Sequence, residues 1–150
     1  MIELTAEDLH RCCGSSRWVA QMLERQPFAG EAELRRAADE IWLALDTADW
    51  LEAFSAHPKI GARKASGFSA GEQAGLAVAE RATRDALAEG NRAYDAKFGF
   101  VFLICATGKS ADEMLAALRE RLDNDRDTEL RNAAEEQRKI TQLRLDKVIA

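Results

Sequence analysis

Basic excess is the first thing this chain lacks. Its 150 residues carry 21 Lys and Arg against 26 Asp and Glu, a net charge of −5. A nucleic-acid surface needs a concentrated basic patch to neutralise phosphates, and none is written here. Long apolar runs are missing too. The longest, FGFVFLICA at 98–106, is half of what a membrane span requires, so no membrane partner is expected. Cysteine is scarce, and two of the three, Cys12 and Cys13, are neighbours. They build no disulfide framework, and neither C-x-x-C nor any Cys/His spacing for zinc occurs, so no metal site is expected. The N-terminus, MIELTAEDLH, has no basic n-region, and the C-terminus, DKVIA, is no peroxisomal address. A reducing, cytoplasmic setting is the expectation.

What is present is ordinary for a globular protein: 47% hydrophobic and 31% charged residues. A chain of this length can bury about 70% of its unfolded surface around one core. The expectation is a single compact all-α domain, residues 1–150, of about seven or eight helices.

The apolar spacing supports that expectation. Thr5 before Ala-Glu-Asp opens a helix that should stop near Gly14, and Ser15 or Ser16 can cap the next, which ends before Pro27. Leu34, Ala37, Ala38, Ile41 and Leu45 repeat at i, i+3, i+4 and mark a third helix. Thr47 or Asp49 starts a short fourth, stopped by His57-Pro58 because a proline drives the residue before it away from αR. Ser69 and Glu72 have the S-x-x-E spacing of a capping box, as do Ser110 and Glu113. The helix opened at Ser69 should carry Leu76, Ala79, Thr83 and Leu87 and run to about Gly90. A last helix should run from about Asp127 nearly to the end. FGFVFLICA has no partner run with which to form a sheet, so it is read as a buried irregular segment.

Three polar residues stand out on these helices. His57 sits at a helix exit with its backbone restrained by Pro58. Glu72 lies four residues before Leu76, on the apolar side of its helix. Arg144 shares the stripe of Leu130, Ala133 and Ile140. Each has an ordinary explanation: a helix stop for His57, a capping partner for Glu72, a dipole-favoured charge in a last turn for Arg144. Each also suits a small polar site of acid, base and fixed cation. Residue spacing alone leaves both readings open. It also leaves a third, an acidic helical protein-binding module without catalytic activity, with Trp18, Trp42 and Trp50 as partner anchors.

The wording of the sequence goes further. AHPKIG at 56–61, S-x-x-E-Q from Ser69 to Gln73, N-x-x-Y-x-x-KFGF from Asn91 to Phe100 and KITQLRL at 139–145 occur in this order across nearly the whole chain. Together they resemble the OHCU decarboxylases, which act on 2-oxo-4-hydroxy-4-carboxy-5-ureidoimidazoline in urate breakdown. The resemblance implies an all-α, cofactor-free carboxy-lyase, usually a homodimer, that produces (S)-allantoin from this small-molecule substrate. It implies His57, Glu72 and Arg144 as catalytic residues. Pro58, Ser69 and Gln73 would line the substrate, with backbone groups of Leu103, Ile104, Cys105 and Ala106. Two departures stand out: the connection at 61–68 is short for the family, and Val101 stands where proline is frequent.

Overall fold

The computed structural model describes residues 1–59, 71–72 and 80–149. Among them are seven α-helices and no strand: α1 (Ala6–Cys12), α2 (Ser16–Arg25), α3 (Glu31–Ala44), α4 (Thr47–Ser55), α5 (Arg81–Phe98), α6 (Ala111–Arg121) and α7 (Arg126–Ile149). The all-α expectation and the helix number both hold. The chain divides into two units, Met1–Ala56 with Gln137–Ala150, and His57–Glu136.

In the first unit, short polar side chains decide where helices begin. Thr5 Oγ1 accepts the Asp8 N–H, and Ser15 Oγ accepts the Trp18 N–H at 3.2 Å. Ser15 is the cap of α2, because the neighbouring Ser16 gives its N–H and hydroxyl to Glu52 instead. At α4 the cap is neither Thr47 nor Asp49 but Asp46, whose carboxylate takes the Asp49 N–H at 3.1 Å. Asp49 lies three residues on and is the donor of that bond, so it cannot be the cap. The carboxylate also favours the positive end of the helix.

Trp18 and Trp42 are core residues, and Trp50 is half-buried beside them. Trp18 is fully buried and donates its indole N–H to the Ala38 carbonyl at 3.0 Å. Trp42 is buried against Trp50 and Phe54, with ring centroids 5.9 and 6.4 Å away, and Trp50 donates to the Trp42 carbonyl. The alternative that used Trp18, Trp42 and Trp50 as partner anchors finds Trp18 and Trp42 buried. At this helical spacing the indoles are consumed by packing, and Trp18 and Trp50 have their one donor satisfied internally.

The second unit corrects one helix boundary. Glu80 has extended backbone (φ −65°, ψ 149°), so Thr83 and Leu87 belong to a helix that starts at Arg81. That helix passes through Gly90 and ends only at Phe98. Gly90 is an approach point, not a stop: a Cβ there would lie 2.5 Å from Leu118 Cδ2 of α6. The stop is Gly99, at φ 81°, a left-handed conformation that costs glycine little.

This turn accounts for the spelling of KFGF. Tyr94 and Phe98 are i, i+4 neighbours on α5, and the chain after Gly99 returns with Phe100 and Phe102 on alternate positions. All four rings meet: Phe98, Phe100 and Phe102 lie 4.5, 5.9 and 5.3 Å from the Tyr94 ring. Each such ring removes enough apolar surface to contribute about 2–3 kcal/mol. Beyond Phe98 the run FGFVFLICA is irregular and largely buried, as its isolation predicts; Phe100, Phe102, Leu103, Ile104 and Ala106 are buried. The Ser110–Glu113 capping box forms in both directions. α7 starts one residue before the expected Asp127, with Asp125 accepting the Thr128 N–H at 2.7 Å.

Candidate active site

His57 follows Ala56, the αR cap of α4, and lies in a bend that Pro58 ends. Both residues are half-buried. Lys59 continues the segment and pairs with Asp95 of α5 at 3.6 Å. Between exposed groups that ion pair is worth about 0–1 kcal/mol. Glu72 has helical backbone and is half-buried. Ser69 and Gln73 lie outside the described residues, and with Ser69 the first capping box.

Arg144 belongs to the other unit, where it is 8% exposed. Its Nη1 donates to the Arg11 carbonyl at 3.2 Å, in the last turn of α1. The carbonyls at a helix C-terminus carry partial negative charge, so a buried guanidinium is welcome there. Thr141, one turn earlier on α7, turns its hydroxyl to the Cys12 carbonyl and accepts from Gln137 at 2.9 Å. Gln137, Thr141 and Arg144 thus form a buried polar row against the end of α1. Cys12 and Cys13 lie in the same corner. Burial pushes both thiols up to about 12, although the positive charge of Arg144 works in the opposite direction. The second histidine, His10, is exposed and lines a concavity of about 430 Å³ with Ala6, Glu7, Arg11 and Val19.

The segment 103–106 is fastened through its backbone. Arg121 Nη1 donates to the Leu103 carbonyl at 2.6 Å, and the Cys105 N–H donates to Glu136 Oε1 at 3.0 Å. Sequence reasoning missed both side chains. Behind Arg121 stands Glu129, wholly buried, whose carboxylate accepts from Arg121 Nε and Tyr94 Oη, each at 2.7 Å. Asn124 and Asn132 occupy its second oxygen at 2.8 and 2.7 Å. Burial works to raise this carboxyl, but the four donors outweigh it and hold it below the ordinary range. Arg121 also lies over the Phe102 ring, 4.6 Å from its centroid. The N-x-x-Y motif contributed the visible half of this network through Tyr94, which reaches Glu129, whereas Asn91 bonds the Leu87 carbonyl of its own helix. Its other half is 35 residues away and has no spacing by which to be found.

A sequence profile of the OHCU decarboxylases matches residues 3–146. The chain belongs to that family. The uric acid degradation bifunctional protein TTL of Arabidopsis thaliana is 39% identical over 99% of this chain, which spans 48% of that protein. The chain therefore covers about half the length of that relative. The 2-oxo-4-hydroxy-4-carboxy-5-ureidoimidazoline decarboxylase of Amia calva is 34% identical, over 83% of this chain and 75% of its own. A crystal structure of OHCU decarboxylase in the presence of (S)-allantoin superposes with a TM-score of 0.85 at 41% identity. It covers 96% of this chain and 97% of the other. Among the described residues no helix is long and apolar enough to cross a membrane.

Proposed function

We propose that this chain, residues 1–150 acting as one catalytic domain, decarboxylates 2-oxo-4-hydroxy-4-carboxy-5-ureidoimidazoline to (S)-allantoin. The observation that carries this reading is the end-to-end likeness, in sequence and fold, to an OHCU decarboxylase solved in the presence of (S)-allantoin. A cytoplasmic homodimer without metal or organic cofactor is part of the same reading.

The chemistry asks little beyond placement. The leaving carboxylate sits on a carbon next to a ring C=N. As its C–C bond breaks and CO2 departs, the electron pair moves into that C=N system. The carbon that lost CO2 keeps its hydroxyl oxygen and becomes the ring carbonyl as the O–H proton leaves. One proton is added to the neighbouring ureido-bearing carbon, and the face that receives it sets the stereochemistry. The protein must orient the substrate, stabilise developing charge and deliver the proton to one face.

His57 is the proton donor in this scheme, because an imidazole titrates near neutrality and Pro58 restrains its backbone. Glu72 polarises the imidazole or the substrate hydroxyl. Arg144 anchors an anionic or carbonyl group with its planar fork. An arginine has five donors, so a bond to Arg11 is compatible with a second partner. Pro58, Ser69 and Gln73 line the substrate, with the backbone of 103–106.

The test is the enantiomeric excess of allantoin formed from freshly generated substrate, since the substrate also decays unaided. Excess of the S form, lost on heat denaturation, is expected. A racemate formed at the uncatalysed rate would end the reading.

A further inference from the structure

Leu103 and Cys105 are each gripped by a charged side chain, and the residue between them is gripped by neither grip. The Leu103 carbonyl accepts from Arg121 at 2.6 Å, and the Cys105 N–H donates to Glu136 at 3.0 Å. Each bond fixes one peptide plane. In a trans peptide the C=O and N–H point in opposite directions. The plane holding the Leu103 carbonyl toward Arg121 therefore turns the Ile104 N–H away from Arg121. The plane holding the Cys105 N–H toward Glu136 turns the Ile104 carbonyl away from Glu136.

The two grips have a common origin. Glu129 and Glu136 are seven residues apart, two turns along the same face of α7. Glu129 acts through Arg121, to which it is bonded at 2.7 Å, and Glu136 acts directly. Charge-assisted bonds of this kind are about twice as strong as neutral ones, and they hold a segment that has no helix or sheet ladder of its own. Phe102 and Ile104 are buried, so the segment is also clamped by packing.

We propose that Glu136 is a positioning residue for the reaction. With Arg121 it sets the peptide planes on either side of Ile104, so that Ile104 presents its main-chain N–H and C=O as a donor–acceptor pair. A ureide carries the complementary pair, a carbonyl beside an N–H, in both its ring and its side arm. Two-point pairing to a fixed backbone edge sets the orientation of the ureide group in the plane of that edge. This rests on the decarboxylase reading, and it assigns Glu136 a role through the Cys105 peptide, not through contact with the reacting atoms.

Two variants at one half-exposed position separate positioning from bulk stability. Glu136→Ala removes the acceptor of the Cys105 N–H, whereas Glu136→Gln keeps a carbonyl oxygen in the same place. For Glu136→Ala the expected result is a KM raised about 10-fold, with kcat within about 3-fold and the S excess retained. Glu136→Gln should restore KM to within about 3-fold of the parent. A titration with (S)-allantoin followed by amide NMR gives an independent readout: the Ile104 N–H should shift on binding, and the midpoint should move with KM. An unchanged KM in Glu136→Ala, or equal damage by both variants, overturns the positioning role. If the parent protein itself yields only racemic product, the decarboxylase reading has failed, and that is visible before any variant is compared.

Discussion

The Tyr94 hydroxyl donates to the Glu129 carboxylate across 2.7 Å, and neither side chain has any exposed surface. The pair is the centre of a buried polar network in which Arg121 bonds both partners and the Leu103 carbonyl. A network of this kind stabilises only if every member is satisfied, since a stranded buried charge is costly.

Its first consequence is a pH dependence of stability. The Glu129 carboxyl is held below its ordinary value of 4.5 in the folded chain, its donors outweighing burial. Its contribution is therefore fully present above that value and is lost as the pH falls through the lower, folded one. Denaturant unfolding between pH 3 and pH 7 should show this acid limb, and Glu129→Gln should flatten it. At pH 7 the same variant should lose about 3 kcal/mol, because Arg121 keeps its charge without its carboxylate. An unchanged acid limb in Glu129→Gln would assign the effect to other carboxylates.

Thiol reactivity should discriminate sharply between the cysteines. Cys12 and Cys13 are buried and pushed up to about 12, so at pH 8 only about one in 10⁴ of either is thiolate. Cys105 is half-exposed. A disulfide reagent should titrate no more than one thiol per folded chain and three after denaturation. Rapid reaction of two or more thiols in the native state would mean that the corner of α1 opens readily.

At Arg144 the expectation is a loss that charge alone does not rescue. Arg144→Lys keeps the cation but gives up the planar fork. It should lower kcat/KM at least ~10-fold while the far-ultraviolet dichroism stays unchanged. The bond to the Arg11 carbonyl needs only one donor, so lysine can preserve it. Near-normal kinetics would make Arg144 a helix-end charge and nothing more.

His57→Asn links rate to stereochemistry. If the imidazole delivers the proton, the rate should drop by about 10²–10⁴-fold. The allantoin still formed should approach a racemate, because water protonates either face. Asparagine is similar in size and polarity, and His57 is only half-buried, so the fold should persist. A slow variant that still makes one enantiomer would leave His57 an orienting residue, with the proton coming from elsewhere.

Taken by itself, the order of residues determined what depends on neighbours within a few positions. Thr5, Ser15 and Ser110 cap helices because a side-chain oxygen needs only to reach an N–H three residues on. The helical periodicity of Leu34 to Ile41, the proline stop at α4 and the isolation of FGFVFLICA were legible for the same reason. Family membership was legible because four spaced motifs together are specific. The tertiary structure alone decided what depends on groups distant in the chain. Gly90 reads as a helix stop until Leu118 is seen to fill the place of its missing Cβ. The anchor reading of the tryptophans stays open until Trp18 and Trp42 are found buried and the Trp18 and Trp50 N–H groups are found bonded within the chain. No motif or spacing in the sequence singles out Arg121, Glu129 or Glu136. They become the supports of Leu103 and Cys105 only once α6 and α7 lie beside that segment, because ion pairs and peptide grips form through space and leave no period in a sequence.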